Sequence, residues 1–594
     1  MDVAPLTSNE RQALSGPALP RAELSDPMKK LTLLAATAAL VACGGPDATR
    51  TVSNDPFCQQ VIPAVDAWLT QARASNPTPE DGRYGGMAVV ASVGEIADGM
   101  NSAVSRDYSA TQHQQFVNLM TLVDYDENAA PRPYLAESWE IADDQTSITF
   151  RLRQDVFWHD GEQTDAHDVA FTYIAVTDPE TGYANAAFWD HFVHGEEGVE
   201  LLDDFTVRIA MRPHSDPMDP FRVLAILPEH LLGDVPHSEL AQHPFGTQCP
   251  VGNGPFVFYS HEPQSRWIFE ANPTFPEGLG GRPYLDRYVY RVIPEQTTLL
   301  TELLTGGVDV YIQPTPDQAQ TIIDDPDLDL MNFVGRDYVY VGWNARVPKL
   351  SDVRVRQALT MAIDRESIVQ AILGGYGRVA NSGVPPFHFA FDPDLESPAA
   401  FNRERARTLL ADAGWVDRDG DGVRENASGE RLSITVKYNP NEIRQTIAEL
   451  MQVQASEVGV EIVPTMTEWN TLIGQISTEA RDFEGVVMGW QAEFRLDDMD
   501  LFHSDRSDRM FAFSGTNNPE IDRLLDAISS TMDREASRAL WAEYQQAIME
   551  EQPYTYFFFR DRLAGVNGRL SGVEMDARGE WVNAKEWYVD PDAR

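Results

Sequence analysis

The chain of 594 residues contains only three cysteines, Cys43, Cys58 and Cys249, and only five lysines, Lys29, Lys30, Lys349, Lys437 and Lys585. So few cysteines exclude a disulfide-dependent miniprotein. Positive charge is scarce altogether: 46 Lys plus Arg face 92 Asp plus Glu, a formal charge of −46. A nucleic-acid role is excluded on that ground, because affinity for phosphate comes from Lys and Arg displacing counterions. The remaining 41 basic residues are arginines. An acidic, lysine-poor surface suits saline surroundings; genomic base composition explains the Arg bias equally well, but not the acid excess. Catalytic signatures are missing too. There is no His-Glu-x-x-His, Gly-x-Ser-x-Gly, Walker loop or Cys-x-x-Cys, so no enzyme is expected. His191 and His194 are three apart without a third ligand at suitable spacing, which reads as surface or core histidine rather than a metal site.

What is present is a folded body. The hydrophobic fraction is 43%, with 12 Trp, 27 Phe and 19 Tyr, too apolar for a chain that stays disordered. At about 150 residues per domain the length suggests roughly four units. Met28-Lys29-Lys30, the apolar run Leu31 to Ala42 and then Cys43 read as an export signal. The run is too short to span a bilayer. Leu40-Val41-Ala42-Cys43 matches a bacterial lipobox, in which the thiol of Cys43 receives diacylglycerol and becomes the mature N-terminus. Residues 1–27 then read as an upstream extension, 28–42 as the signal peptide, and 43–83 as tether plus N-terminal helix. Gly44, rather than aspartate, follows the lipidated cysteine, which leaves inner and outer membrane anchoring both open. Export implies an oxidising compartment, where Cys58 and Cys249 can pair; two buried free thiols are the alternative.

Beyond the tether, strands and helices alternate. Ile148, Phe150 and Leu152 alternate with Thr149, Arg151 and Arg153, a half-buried strand, and Thr206 to Met211 repeats the pattern. Leu299, Leu300, Leu303 and Leu304 form a helical stripe over Thr297 to Thr305, stopped by Gly306-Gly307 before a strand from Val308 to Ile312. Val353 to Leu373 is helical behind Ser351 and Asp352, with Asp364 offering a second start. The fold class expected is α/β.

Several motifs then resemble the family 5 extracellular solute-binding proteins, the oligopeptide, dipeptide and nickel receptors of ABC importers. They are Pro133-Tyr-Leu-Ala-Glu-Ser-Trp139, Ile148-Thr-Phe-Arg-Leu-Arg153, Trp158-His-Asp-Gly-Glu162 and Asp168-Val-Ala-Phe-Thr-Tyr173. Gly252-Asn-Gly-Pro-Phe256, Leu303-Leu-Thr-Gly-Gly-Val-Asp309, Asp352-Val-Arg-Val-Arg-Gln-Ala-Leu359, Ala413-Gly-Trp415, Gly489-Trp490 and the Val566 to Val573 segment follow in order. The resemblance implies a two-lobe periplasmic-binding-protein fold with an inserted extra subdomain. Residues 84–120, 225–335 and 546–594 would form lobe I, 121–224 the insertion and 336–545 lobe II. It departs from the family where Leu-Asp-Pro is common, since the chain reads Met100-Asn101-Ser102-Ala103, and where Tyr-Trp is common, at Phe275-Pro276.

The resemblance also implies ligand contacts. In peptide-binding relatives an acid shortly after the Gly-Trp pair receives the ligand's α-ammonium, because a buried charge needs a partner; the matching position is Glu493. Trp490 would line a side-chain pocket or belong to the core, Asp497 and Asp498 are alternatives for a cationic group, and Tyr338, Tyr340 and Trp343 would share one side of a strand at the lobe crossover, at least one of them as core. Asp417, Asp419 and Asp421 have the spacing of a calcium loop, but Ser428 stands where the bidentate glutamate belongs, so a surface turn is the better reading. No cofactor is otherwise expected. The function implied is a monomeric lipoprotein on the periplasmic or extracellular face that captures peptides and delivers them to a permease and ATPase complex. A nickel-chelate or other non-peptide receptor, or a ligand-sensing surface protein, is the alternative.

Overall fold

The structure is a computed structural model and describes residues 53–477, 481–492 and 494–593. The 28–42 leader, Cys43 and Glu493 lie outside the described residues. Among the described residues no helix is long and apolar enough to cross a membrane. An eleven-stranded mixed sheet runs through the molecule. Its middle is an antiparallel pair of unusually long strands, Leu328–Trp343 and Tyr554–Asn567. On one side follow Val310–Ile312, Met87–Ser92, Arg287–Val292, Arg266–Ala271 and Phe256–Glu262; on the other, Gly485–Gln491, Ser433–Tyr438 and Glu461–Met466; the eleventh strand, Gly377–Val379, pairs with Tyr554–Asn567 off this order. Val310–Ile312 meets Tyr554–Asn567 only at that strand's far end, whereas Gly485–Gln491 meets Leu328–Trp343 only over Asp337 to Trp343. The long pair slips register between Val334 and Tyr338. That irregularity divides the sheet into two halves, each with its own core, and a bulge is where a strand pair bends most readily.

A second, four-stranded antiparallel sheet, ordered Ala136–Ile141, Ser147–Leu152, Thr206–Ala210, Val199–Asp203, stands apart from the large one. It lies in sequence between Met87–Ser92 and Phe256–Glu262 of the main sheet. Its inner face is the alternation legible in the sequence: Ile148, Phe150, Val207 and Ile209 are fully buried. The helix Ala166–Thr177 is started there by Asp165, whose carboxylate accepts the His167 amide while Asp168 returns a bond to the Asp165 amide.

Local physics adjusts several boundaries. The leucine helix spans Gln296–Leu304, with Leu299 and Leu303 buried but Leu304 39% exposed, so the apolar stripe is narrower than the pattern suggests. Gly306 takes the left-handed conformation (φ 74°) that ends it, and the following strand is only Val310–Ile312. The long helical stretch is two helices, Val353–Ala362 and Arg365–Leu373; Asp364 caps the second by accepting the Ser367 amide at 3.0 Å.

The helix Pro56–Ser75 begins at Asp55, whose side chain accepts the Phe57 amide. Val61, Val65 and Leu69 bury against the core of the smaller sheet, and Arg73 pairs with Glu270 of the large sheet at 2.9 Å. Cys58 and Cys249 are joined in a disulfide that ties the first turn of this helix to a loop 191 residues away.

Candidate functional site

Residues after the slip in the long strand face two ways, because successive strand side chains alternate. Tyr338 and Tyr340 pack on one face with Tyr554, Tyr556 and Phe559. Trp343, three residues after Tyr340, lies on the other face with Val341 and Val436, and its indole N–H donates to Thr555 Oγ1 at 2.9 Å. The three aromatics therefore do not share a side, correcting that expectation: an odd separation in a strand reverses direction. Tyr340 stacks on Tyr554 with ring centroids 4.2 Å apart and is wholly buried, as is Trp343; both are core. Tyr338 reaches a cavity wall.

That cavity has a volume of about 700 Å³ and lies between the segment Phe188–His214 and the loops Trp490–Leu501 and Arg506–Phe511. Trp490 is half-buried at its wall, with the ring of Phe511 edge-on at 5.1 Å. Ala492 just beyond is fixed by donating its amide to Arg336 O at 2.9 Å. The loop supplies two further aspartates. Arg495 Nη2 lies 2.8 Å from Asp497 Oδ2, and Asp497 Oδ1 accepts the Met499 amide. Burial works against the Asp497 carboxylate, but the charge and hydrogen bond of Arg495 outweigh it and hold the group below the usual range. Asp498 accepts from the Tyr544 hydroxyl at 2.6 Å, and burial pushes it up to about 6.

Among the described residues of the wall, Asp190, Asp497, Asp498 and Asp500 are matched by Arg212, Arg495, Arg506 and Arg509. His191 and His214 also line it, their ring centroids 3.8 Å apart. Burial, followed by the neighbouring Arg495 charge, pushes His214 down to about 3, and His191 is lowered for the same two reasons. His214 Nδ1 accepts the Asp216 amide at 3.1 Å. His191 thus meets His214, while His194 turns to the Trp189 carbonyl. No motif marks His214, Arg212 or Arg495 in the sequence, since they are remote in the chain from Trp490 or unremarkable as residue types.

The calcium-spaced aspartates lie elsewhere. Asp417, Asp419, Asp421 and Glu425 each bring an oxygen within 4.8 Å of the others. Asp417 already accepts the Gly420 and Gly422 amides. Arg431 pairs with Asp421 and lowers its pKa. A guanidinium thus stands where a cation would be needed, as in a braced surface turn.

A family model described as bacterial extracellular solute-binding proteins, family 5 Middle, matches residues 130–510. The chain is 31% identical over 515 residues to the oligopeptide-binding protein AppA of Bacillus subtilis, covering 85% of this chain and 92% of that protein. The solved structure of that AppA in complex with a nonapeptide superposes with a TM-score of 0.68 at 30% identity, covering 85% of this chain and 99% of that one. NikZ of Campylobacter jejuni, solved with Ni(L-His), shares the fold at a TM-score of 0.66 and 24% identity, over 84% of this chain and 99% of that one. The two halves of the large sheet are the two lobes of this fold, and the four-stranded sheet belongs to its extra subdomain. By the extent of the family match and its agreement with the fold, the chain belongs to the family 5 bacterial extracellular solute-binding proteins.

Proposed function

We propose that the chain is the peptide receptor of an ABC importer, capturing peptides between its lobes and delivering them unchanged to a permease. In this reading Cys43 carries the lipid anchor, and the lobes divide as 84–120, 225–335 and 546–594 against 336–545, with 121–224 inserted. The observation that carries it is the charge-balanced cavity wall in a chain of net charge −46. A wall whose described residues match Asp with Arg, with Glu493 added for an ammonium, suits a zwitterion, whereas a receptor for simple cations would keep the excess acid of the surface. The likeness to a protein solved with a nonapeptide supports the same solute class. Glu493 receives the ligand's α-ammonium, Trp490 borders a side-chain pocket, and Asp497 and Asp498 pair with further polar groups of the ligand. Affinity comes from strand-like backbone pairing and water-filled pockets, so sequence preference is weak.

The test is direct. The purified protein is denatured and its retained solute identified by mass spectrometry; recovery of only a non-peptide solute removes the reading. Locally, Glu493→Gln weakens binding of peptides with a free amino terminus far more than binding of their N-acetylated forms, and equal losses take Glu493 out of the ammonium role. A metal-chelate receptor is the second reading, favoured by the His191–His214 pair on the wall and answered by the same mass spectrum.

A further inference from the structure

Phe494 follows the Gly-Trp pair by only four residues, yet its ring is 3% exposed and belongs to the core of the smaller sheet's region, with Leu122, Tyr125, Phe221 and Leu224. The chain around it belongs to the other side of the cavity, where Trp490, Leu496 and Leu501 pack with the strand face of Tyr338. One side chain has therefore crossed from the cavity loop into the opposite body.

The socket is specific. The Arg222 guanidinium lies 4.1 Å from the Phe494 ring centroid and 4.9 Å from that of Tyr125, so one cation faces both rings. Arg222 is itself buried and fixed by Asp219 at 3.0 Å. Arg336, at the register slip, stands 5.2 Å from the same ring. Behind the ring, His388 Nε2 donates to the Phe494 carbonyl at 2.9 Å, which fixes the loop from its own side. Phe387 of the loop's own body packs on the same core with its ring 5.3 Å from that of Phe494, and elsewhere the two bodies meet where the Ser215 amide donates to Ser529 O at 3.1 Å and Arg534 donates to the Asn128 carbonyl.

We infer that Phe494 is a positioning residue: docked in the Arg222–Tyr125 socket, it holds the Trp490–Leu501 loop over a bound solute and sets how slowly the closed protein releases it. Hinge closure needs contacts that exist only in the closed state. An aromatic knob from one body in a cationic-aromatic socket of the other is such a contact, and rotation about the Val334–Tyr338 slip withdraws it. This rests on the loop being ligand-facing, as proposed above, but not on the solute being a peptide.

The experiment compares the parent protein with Phe494→Leu and Phe494→Ala. The probe is a pentapeptide with a free amino terminus and a dansyl group on a C-terminal lysine, followed by stopped-flow fluorescence, alongside melting without probe. Phe494→Ala releases the probe about tenfold faster with little change in association rate, since interface changes act mostly on dissociation; Phe494→Leu falls between, and each variant loses more melting temperature with probe than without it. An unchanged release rate, or equal losses of melting temperature with and without probe, makes Phe494 ordinary core and overturns the inference. If the probe does not bind the parent, the peptide reading falls, and small-angle scattering of the probe-free proteins decides. A larger radius of gyration in Phe494→Leu than in the parent supports the inference, and an equal one overturns it.

Discussion

The loop of Asp417, Asp419 and Asp421 and the loop of Asp497, Asp498 and Asp500 carry the same residue type, yet Asp498 of the second reaches the opposite electrostatic state to Asp421 of the first. In the first, the three aspartates are exposed, satisfied by backbone amides and by Arg431, and the Asp421 carboxylate is held lower than usual. In the second, burial raises Asp498 to about 6, and an arginine is spent on holding Asp497 ionised. Water already solvates a surface aspartate, so a partner there adds little. At a cavity wall the lost hydration must be replaced by a specific donor. Asp497, with its side chain 37% exposed against 39% for Asp421, stays ionised like it, so the difference between the loops rests on Asp498.

The comparison can be broken by removing one carboxylate from each loop. Asp497→Ala strands the largely buried Arg495 without its partner and is expected to weaken binding of a free-amino-terminus pentapeptide about ten- to a hundredfold by calorimetry, the size expected of a lost charge-assisted bond. Asp417→Ala leaves that affinity unchanged. Equal effects at the two sites would erase the distinction.

A smaller effect sharpens it. Asp498 holds its proton more tightly in the folded chain than in the unfolded one, so its contribution to stability is fully present below about pH 4 and is lost as pH rises through about 6. Asp498→Asn mimics the protonated form at every pH. The variant should be level with the parent in acid and more stable above pH 6 by about 1 kcal/mol, a value reduced for the group's partial exposure. Urea unfolding at pH 4 and pH 7.5 measures this; a difference that does not grow with rising pH would mean the carboxyl is solvated. The smallest effect concerns calcium. Millimolar calcium is expected to leave the melting temperature unchanged, because Arg431 already occupies Asp421; a rise abolished by Asp417→Asn would make the surface loop a cation site after all.

Much of the fold was legible because its signals are local. The alternation at Ile148, Phe150 and Leu152 specified a strand with one buried face, and Asp364 announced a second helix start by its capping chemistry. The ordered motifs from Pro133 to Val573 carried the family. The site was less legible. Tyr338, Tyr340 and Trp343 looked equivalent as strand aromatics, but only Tyr338 reaches the cavity, since Trp343 is an odd number of residues from the tyrosines and Tyr340 is stacked beneath Tyr554. His191 stands three residues from His194 in sequence, but its ring meets that of His214.

By itself the sequence determined the composition of the surface, the alternation of strands and helices, and the family, because these depend on residue type and short-range spacing. Only the tertiary structure decided which carboxylates lose their water, which aromatic lines the cavity, and that Phe494 crosses into a socket made by Tyr125 and Arg222. Those outcomes depend on what packs against a side chain from hundreds of residues away, and burial, which sets both charge state and contact, is a property of that packing.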